Sequence, residues 1–436
     1  LLIKIFNLTQ LLFMKRNFTK VSLVATFLAG GLMFTACNKS TEESLPQDIT
    51  AAPLEEGGSY IVVFKDEATG QFQARKGKTP ETREEALEYA RNTEKIAREE
   101  VSSMLRTAGI EKSKESFEHV YGTLFLGFAG ELSAEEVKAL KKDSRVALIE
   151  RDRATQLEPA IVESIDDAGS AERNTQSTPW GITRVGGAVN AAGLSRWAWV
   201  IDSGIQLNHP DLTVDTQYSR SFVSGISSPA DGNGHGTHVA GTIAARNNTI
   251  GVIGVAAGAT VVSIRVFDAS GRGSNSATVA GVDYVASVAL RGDVVNMSLG
   301  GGVSSVVDNA VINAASKGLY IAVAAGNSSA NSNNFSPARV NYFNSSNGGK
   351  VITISAMDVN NRFASFSNFA NPPIDFCAPG VSINSTYLNG GYATLSGTSM
   401  ATPHVAGIML INNGTVRTNG TVLNDRDSTP DPIAVR

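Results

Sequence analysis

The chain has 436 residues, a net charge of −4, 42% apolar and 18% charged content. That balance excludes a disordered chain and shows no basic footprint for nucleic acid, and the length accommodates about two or three domains. The two cysteines, Cys37 and Cys377, cannot build a disulfide framework.

The chain begins at Leu1, and Met14 is the expected start. Lys15, Arg16 and Lys20 precede an apolar run over 21–34, and the small residues Thr35 and Ala36 lead to Cys37. This pattern within residues 1–36 predicts an export signal, too short for a transmembrane span. Met33-Phe34-Thr35-Ala36-Cys37 resembles a bacterial lipobox, which implies lipidation of Cys37 and a membrane anchor. An ordinary signal peptide cut nearby is the alternative. Residues 37–57 read as a tether.

Residues 58–153 predict a small α+β domain. Residues 60–64 are β-rich, and 82–108 carry helical spacing through Leu87, Ala90, Ile96, Val101 and Leu105. Strands are expected at 117–121 and 123–129. Ser133 with Glu136 forms a capping box that opens a helix to Lys141. A strand at 146–150 completes a β-α-β-β-α-β order, the split βαβ, ferredoxin-like arrangement, which by itself decides no function. Residues 154–178 have little periodicity and read as a junction.

In residues 179–411, short apolar runs at 197–201, 261–266, 294–299, 320–325 and 351–356 alternate with helical stretches. This predicts an α/β domain with a doubly wound parallel sheet covered on both faces, with chemistry in loops at the strands' C-terminal ends. Three residues there stand in unusual settings. Asp202 ends an apolar strand, where a carboxylate is costly without a firm partner. His235 is flanked by glycines at a helix start, and Ser399 follows Gly397-Thr398 at the opening of an apolar helix, where backbone N–H groups can face an oxyanion. Taken singly, Ser399 is an N-cap and Asp202 a loop residue. The rival for His235 and His238 is metal binding, but no further ligand stands at zinc-site spacing.

The segments Ile201-Asp202-Ser203-Gly204, Gly234-His235-Gly236-Thr237-His238 and Gly397-Thr398-Ser399-Met400-Ala401-Thr402-Pro403-His404 resemble the three signature motifs of subtilisin-like serine peptidases, closest to the proteinase K branch. The resemblance implies a serine endopeptidase in which Asp202, His235 and Ser399 form the triad and Asn327 donates to the oxyanion. It also implies that Ser298, Leu299 and Gly300 on one edge and Gly271 and Gly273 on the other hold an extended protein or peptide substrate. The small Ala325 and Gly326 leave room in the first pocket for a sizeable side chain. Expected specificity is therefore broad with an apolar preference. No cofactor is implied for catalysis. A structural calcium is implied at Asp375 with Gly349 and Val351. The small domain resembles the inhibitor-type propeptide of this family, which makes the chain's own N-terminal part a partner of the site and residues 154–178 the cleaved junction. A monomer is expected. The rival classes are a catalytically silent envelope lipoprotein that binds peptides and an enzyme acting only on its own propeptide or one partner. After Ile411 the residues 412–436, rich in Asn, Thr, Gly, Asp and Pro, read as loop or disorder.

Overall fold

The structure is a computed structural model that describes residues 56–75, 80–158, 160–166 and 175–436, all within one compact unit, 51–436. The expected signal region, Cys37 and most of the tether lie outside the described residues. The small domain has the expected order: β1 (Gly58–Phe64), α1 (Arg83–Thr107), β2 (His119–Tyr121), β3 (Gly127–Leu132), α2 (Ala134–Lys142) and β4 (Val146–Arg151). Its antiparallel sheet runs β2-β3-β1-β4. Both helices open on capping boxes. In each, the Thr82 or Ser133 hydroxyl accepts the N–H three residues on, while Glu85 or Glu136 reaches back to the cap backbone. Alternate residues of β1, Tyr60, Val62 and Phe64, join Leu105, Phe128 and Leu140 in one apolar core.

The strand expected from 123 begins instead at Gly127, because residues 122–124 form a turn clamped from outside the domain. Asp283 takes the N–H groups of Leu124 at 2.8 Å, Thr123 at 3.0 Å and Gly122 at 3.2 Å.

The junction is not the structureless loop that its weak periodicity suggests. It carries β5 (Ala154–Gln156) and β6 (Ile161–Asp166), both paired with the large domain, while 159 and 167–174 lie outside the described residues. Neither strand has a buried apolar face of its own to reveal it in sequence.

The large domain holds a mostly parallel sheet. Its strands in chain order are β7 (Ala198–Asp202), β8 (Thr213–Ser221), β9 (Thr260–Arg265), β11 (Val294–Met297), β12 (Tyr320–Ala324), β13 (Lys350–Met357) and β14 (Ile374–Pro379). The short β10 (Arg272–Ser274) lies apart from this sheet and pairs with β5. A hairpin of β15 (Ile383–Thr386) and β16 (Tyr392–Ser396) follows, then β17 (Arg417–Thr421) and β18 (Pro432–Val435). Across the main sheet the order is β17-β18-β14-β13-β12-β11-β7-β9-β8. The central strands are apolar on both faces because both are covered. Helices α4 (Asn275–Val288) and α5 (Ser305–Ser316) close one core, and α3 (His235–Ala244) and α6 (Thr398–Ile411) close the other.

The tail corrects the expectation of disorder. β18 adds to the sheet edge beside β14, with Cys377 opposite Ile433, and β17 pairs back on β18. Ile433 and Val422 bury with Cys377 in a small satellite core. Burial holds the Cys377 thiol well above its usual pKa, which suits an inert packing role.

The small domain docks across α4 and shares its core: Ala86, Ala90, Tyr121 and Phe125 pack in one cluster with Tyr284 and Val285. Arg83 stacks 3.8 Å over Trp197 and forks onto Asp293 at 2.8 and 2.9 Å. Asp152 takes the Ser276 N–H at 3.0 Å in the first turn of α4, and Glu150 takes the Val306 N–H at 3.3 Å in that of α5. Acids at helix N-termini satisfy donors that the helices cannot.

Candidate active site

Asp202 is the last residue of β7 and is fully buried. Its Oδ1 accepts the Ser203 N–H at 2.7 Å, and both carboxylate oxygens face His235 Nδ1, at 2.8 and 3.0 Å. That is the firm partner which its position at the end of an apolar strand requires. Burial opposes a charge on the imidazole, but the charge and hydrogen bond of Asp202, with Asp231 farther off, outweigh it and hold the His235 pKa above its ordinary value.

His235 opens α3 after Gly234, whose φ of +105° is left-handed and whose Cα faces the Tyr387 ring too closely for a side chain. Asp231 shapes this entry. One oxygen accepts the N–H groups of Asn233 and Gly234 at 2.8 and 2.9 Å. The other accepts the N–H and the hydroxyl of Thr237 at 3.0 and 2.6 Å. Sequence reasoning passed over Asp231, although an acid just before a glycine-flanked helix start is a recognisable capping signal. His238 settles the metal rival: its Nε2 meets the carbonyls of Ile383 and Ala393 at 3.0 and 3.1 Å, and burial pushes its pKa down to about 3. It is a structural tie between α3 and the β15–β16 hairpin.

Ser399 lies in the first turn of α6, whose N-terminal N–H groups have no helical acceptors. Pro403 sits inside this helix. Proline has no N–H, so the Ser399 carbonyl four residues earlier loses its helical donor. The Ser298 hydroxyl replaces it at 2.8 Å, and the Ser399 hydroxyl donates to the Ser298 carbonyl at 3.1 Å. Ser298, expected only as a substrate edge, thus also fixes the serine. His235 Nε2 is buried without a hydrogen-bond partner, so the Ser399–His235 hydrogen bond is not made in this structure.

Asn327 follows the C-terminal end of β12. Its Oδ1 accepts both the N–H and the hydroxyl of Thr398 at 2.8 Å, which orients the amide and leaves Nδ2 as its donor beside Gly397. Thr398 completes the link by accepting the Gly326 N–H at 3.2 Å. Asn368, which sequence reasoning missed, braces the same loop. It takes the N–H groups of Ser328 and Ala330 at 3.0 and 2.9 Å and donates to the Ala325 carbonyl at 2.9 Å. Gly326, at φ +104°, leaves no space for a Cβ against Asn368.

Of the expected substrate edges, the one at Gly271 and Gly273 borders β5. Gly273 pairs with Thr155 and Gly271 accepts the Leu157 N–H at 2.8 Å. Opposite, after Ser298, Leu299 and Gly300, a Cβ on Gly301 would lie 3.4 Å from Thr155 Cγ2.

The expected calcium donors are otherwise engaged. Asp375 Oδ2 accepts the Thr353 N–H at 2.9 Å, and burial raises its carboxyl to about 6 against that bond and the nearby Lys350 ammonium. The Gly349 carbonyl accepts the Asn344 N–H at 2.7 Å, and Val351 lies in β13. Among the described residues no group of three His, Cys, Asp or Glu side chains is arranged to hold a metal. With a lysine alongside, this donor set does not fit a calcium ion.

A buried carboxylate–imidazole pair and a serine in the first turn of an apolar helix, within an α/β protein built on a mostly parallel sheet, are the elements of a site of the serine-hydrolase type. The chain belongs to the subtilase family: residues 199–412 match the Subtilase family model, and residues 59–158 match Peptidase inhibitor I9. It is 36% identical to Alkaline serine exoprotease A of Vibrio alginolyticus over 84% of this chain, and spans 62% of that protein. It is 35% identical to the Extracellular serine proteinase of Thermus sp. (strain Rt41A), with 87% of each chain covered. A solved structure of a cold adapted subtilisin-like serine proteinase superposes with a TM-score of 0.50 at 36% identity, covering 58% of this chain and 96% of that one.

Proposed function

We propose that the chain is a serine endopeptidase made as a propeptide-inhibited zymogen. What supports the proposal is the buried Asp202–His235 pair with its Nε2 left without a partner, the serine in the first turn of α6 and the oriented Asn327 amide. Ser399 Oγ attacks the scissile carbonyl carbon while its proton passes to His235 Nε2, the ring nitrogen left without a partner. Asp202 holds the imidazole and supports its charged form. Negative charge on the carbonyl oxygen meets Asn327 Nδ2–H and the Ser399 N–H. The C–N bond breaks as His235 returns the proton to the leaving amine, which leaves an acyl ester on Ser399. Water then attacks that ester, its proton passing through His235, and the acid product leaves with Ser399 restored.

Backbone pairing along β10 supports broad specificity, since a ladder reads no side chains. The small Ala324, Ala325 and Gly326 support a large side chain in the first pocket. We read the enzyme as a monomer, exported, and anchored through Cys37 until maturation. A cut within 154–178 would separate Cys37 from the catalytic domain and release that domain from the membrane. Incubating purified protein with unstructured casein, with and without a serine-directed phosphonate, tests the activity; no inhibitor-sensitive cleavage removes the reading. Membrane fractionation of wild type and Ser399→Ala tests release, which fails if the mature wild-type domain stays membrane-bound after the propeptide is degraded.

A further inference from the structure

Arg83 of the inhibitor domain sits in a pocket that the catalytic domain builds by itself. Its guanidinium lies 3.8 Å over the Trp197 ring and forks onto the two oxygens of Asp293 at 2.8 and 2.9 Å. A third hydrogen bond goes to the Ser195 carbonyl at 2.8 Å. Each wall is fixed without Arg83. Asp293 also accepts the N–H groups of Trp197 and Leu290 at 2.9 and 3.0 Å and the Trp199 indole N–H at 2.9 Å. The Trp197 ring meets Tyr218 edge-on, with centroids 5.3 Å apart, and Trp199 at 6.3 Å. The Val294 N–H donates to the Trp197 carbonyl at 3.0 Å, which ties the starts of β7 and β11 together.

The charge of this pocket is unbalanced within the catalytic domain. The Asp293 side chain is 1% exposed with Arg83 in place, and among the described residues its one ion pair is with Arg83. Arg196 and Arg291, close by in sequence, donate instead to the carbonyls of Leu410 and Asn347, both at 3.0 Å. Three uncharged donors hold the carboxylate in place but leave its charge without a cation once Arg83 departs. Lysine is a poor replacement, because a compact ammonium cannot span both oxygens while lying flat on an indole. The location is also distinctive. Trp197 and Asp293 immediately precede β7 and β11, whereas Asp202 ends β7. The pocket therefore lies at the opposite end of the parallel strands from the Asp202–His235 pair, about 16 Å of strand away.

We propose that Trp197, Asp293 and the Ser195 carbonyl form a guanidinium-binding exosite of the catalytic domain, which takes an arginine side chain of a protein substrate once Arg83 has left. This rests on the zymogen reading, since release of the inhibitor domain is what opens the pocket. That one polypeptide can reach both the pocket and the edge at β10 is shown by this chain, in which Arg83 fills the first while residues 154–156 pair along the second. A substrate that does the same is held at two points, and its affinity rises with no new contact at the scissile bond.

Two measurements test it. In the full chain carrying Ser399→Ala and Arg83→Ala, the occupant is removed and both domains remain. The three tryptophans give three indole N–H signals in NMR, and that of Trp199 reports on Asp293. Ethylguanidinium should shift this signal with a dissociation constant on the order of 1 mM, and ethylammonium should bind about tenfold more weakly. The Ser399→Ala chain with Arg83 intact should not respond. No shift, equal affinities, or a response with Arg83 intact overturns the pocket. On matured enzyme, ethylguanidinium at roughly tenfold its dissociation constant should raise the KM for unfolded casein about threefold and leave that of a tetrapeptide anilide unchanged. Casein whose arginines are blocked by a dicarbonyl reagent should show the higher KM from the start. A rise shared by both substrates places the ligand at the scissile bond, and a casein KM that neither treatment moves leaves no exosite; either result overturns the proposal. No turnover of any substrate and no phosphonate label on Ser399 removes the endopeptidase reading, whereas the indole titration, made in the Ser399→Ala chain, decides the pocket by itself.

Discussion

Against α4 the inhibitor domain is held by particular side chains, whereas the strap formed by β5 and β6 is held mainly by backbone pairing. On the docking face, Asp283 gathers three N–H groups of the 122–124 turn, Arg83 is sandwiched between Trp197 and Asp293, and Tyr121 reaches the Ser276 carbonyl at 3.2 Å. In the cleft, β5 and β6 add strands to β10 and β16, and β6 leaves Ile161, Val162 and Ile165 more than half exposed. The first contact depends on the identity of its side chains. The second is made largely of main-chain ladders, which read few side chains.

The largest expected effect separates the chemistry from both contacts. Asp202→Asn should lower kcat by about 10⁴, because the imidazole loses the carboxylate that fixes its tautomer. Hydrogen exchange in the docking face and the strap should stay at wild-type protection; loss of protection there would mean that the change had loosened the fold instead. Next in size is the docking acid. In a Ser399→Ala background, Asp283→Ala leaves three N–H groups of the turn without their acceptor and should cost about 2–4 kcal/mol of docking. The readout is faster exchange of the Thr123 and Leu124 amides. Protection unchanged within tenfold would show that the apolar contact, not the charge, holds the domain.

This contrast also explains what could be read from the chain alone. Both capping boxes, the alternation in β1 and the continuous apolar strands around β7 are local patterns, and each predicted element formed within a few residues. The Asp202–His235 pair was legible because each residue stands where a bland role would waste an unusual context. What could not be read depends on distant partners. β6 and β17 are exposed ladders, and β18 is a short strand that exists because β14 offers it an edge. The Asn368 brace and the Asp283 clamp join residues far apart in the chain with no local signature. Glu158 looked like one acid among several in a polar junction until the register of β5 placed it beside Asn327.

Docking and the candidate base carry histidines whose pKa values are shifted in opposite directions. On the docking face, burial first, then Arg98 and Arg220 against Glu94, push the His119 pKa down to about 4. The ring, 6.3 Å from Phe222, is bound neutral with its Nε2 shut from solvent. A depressed histidine stabilises docking fully above its ordinary value near 6.5, and that contribution is lost as pH falls toward 4. Allowing for the ring's partial exposure, the loss is about 2 kcal/mol. His235 shifts the other way, so the neutral base is lost at a pH above 6.5 and the acid limb of kcat/KM should lie there. Acid thus loosens the inhibitor domain while it silences the base. The measurement is exchange at Thr123 and Leu124 in the Ser399→Ala chain at pH 7 and pH 4.5, with His119→Phe removing the difference. A pH dependence that persists in His119→Phe assigns it to another group.

The smallest effect tests the strap itself. Glu163 on β6 accepts the Ser396 hydroxyl at 2.6 Å and the Ser382 hydroxyl at 2.9 Å, the side-chain bonds most like those of the docking face. If backbone pairing holds β6, Glu163→Ala should cost less than about 1 kcal/mol, because the strand is exposed and the two hydroxyls can turn to water. Exchange of the β6 amides in the Ser399→Ala chain should rise by less than about fivefold. A loss as large as that of Asp283→Ala would mean that the strap, too, is read by its side chains, as the docking face is.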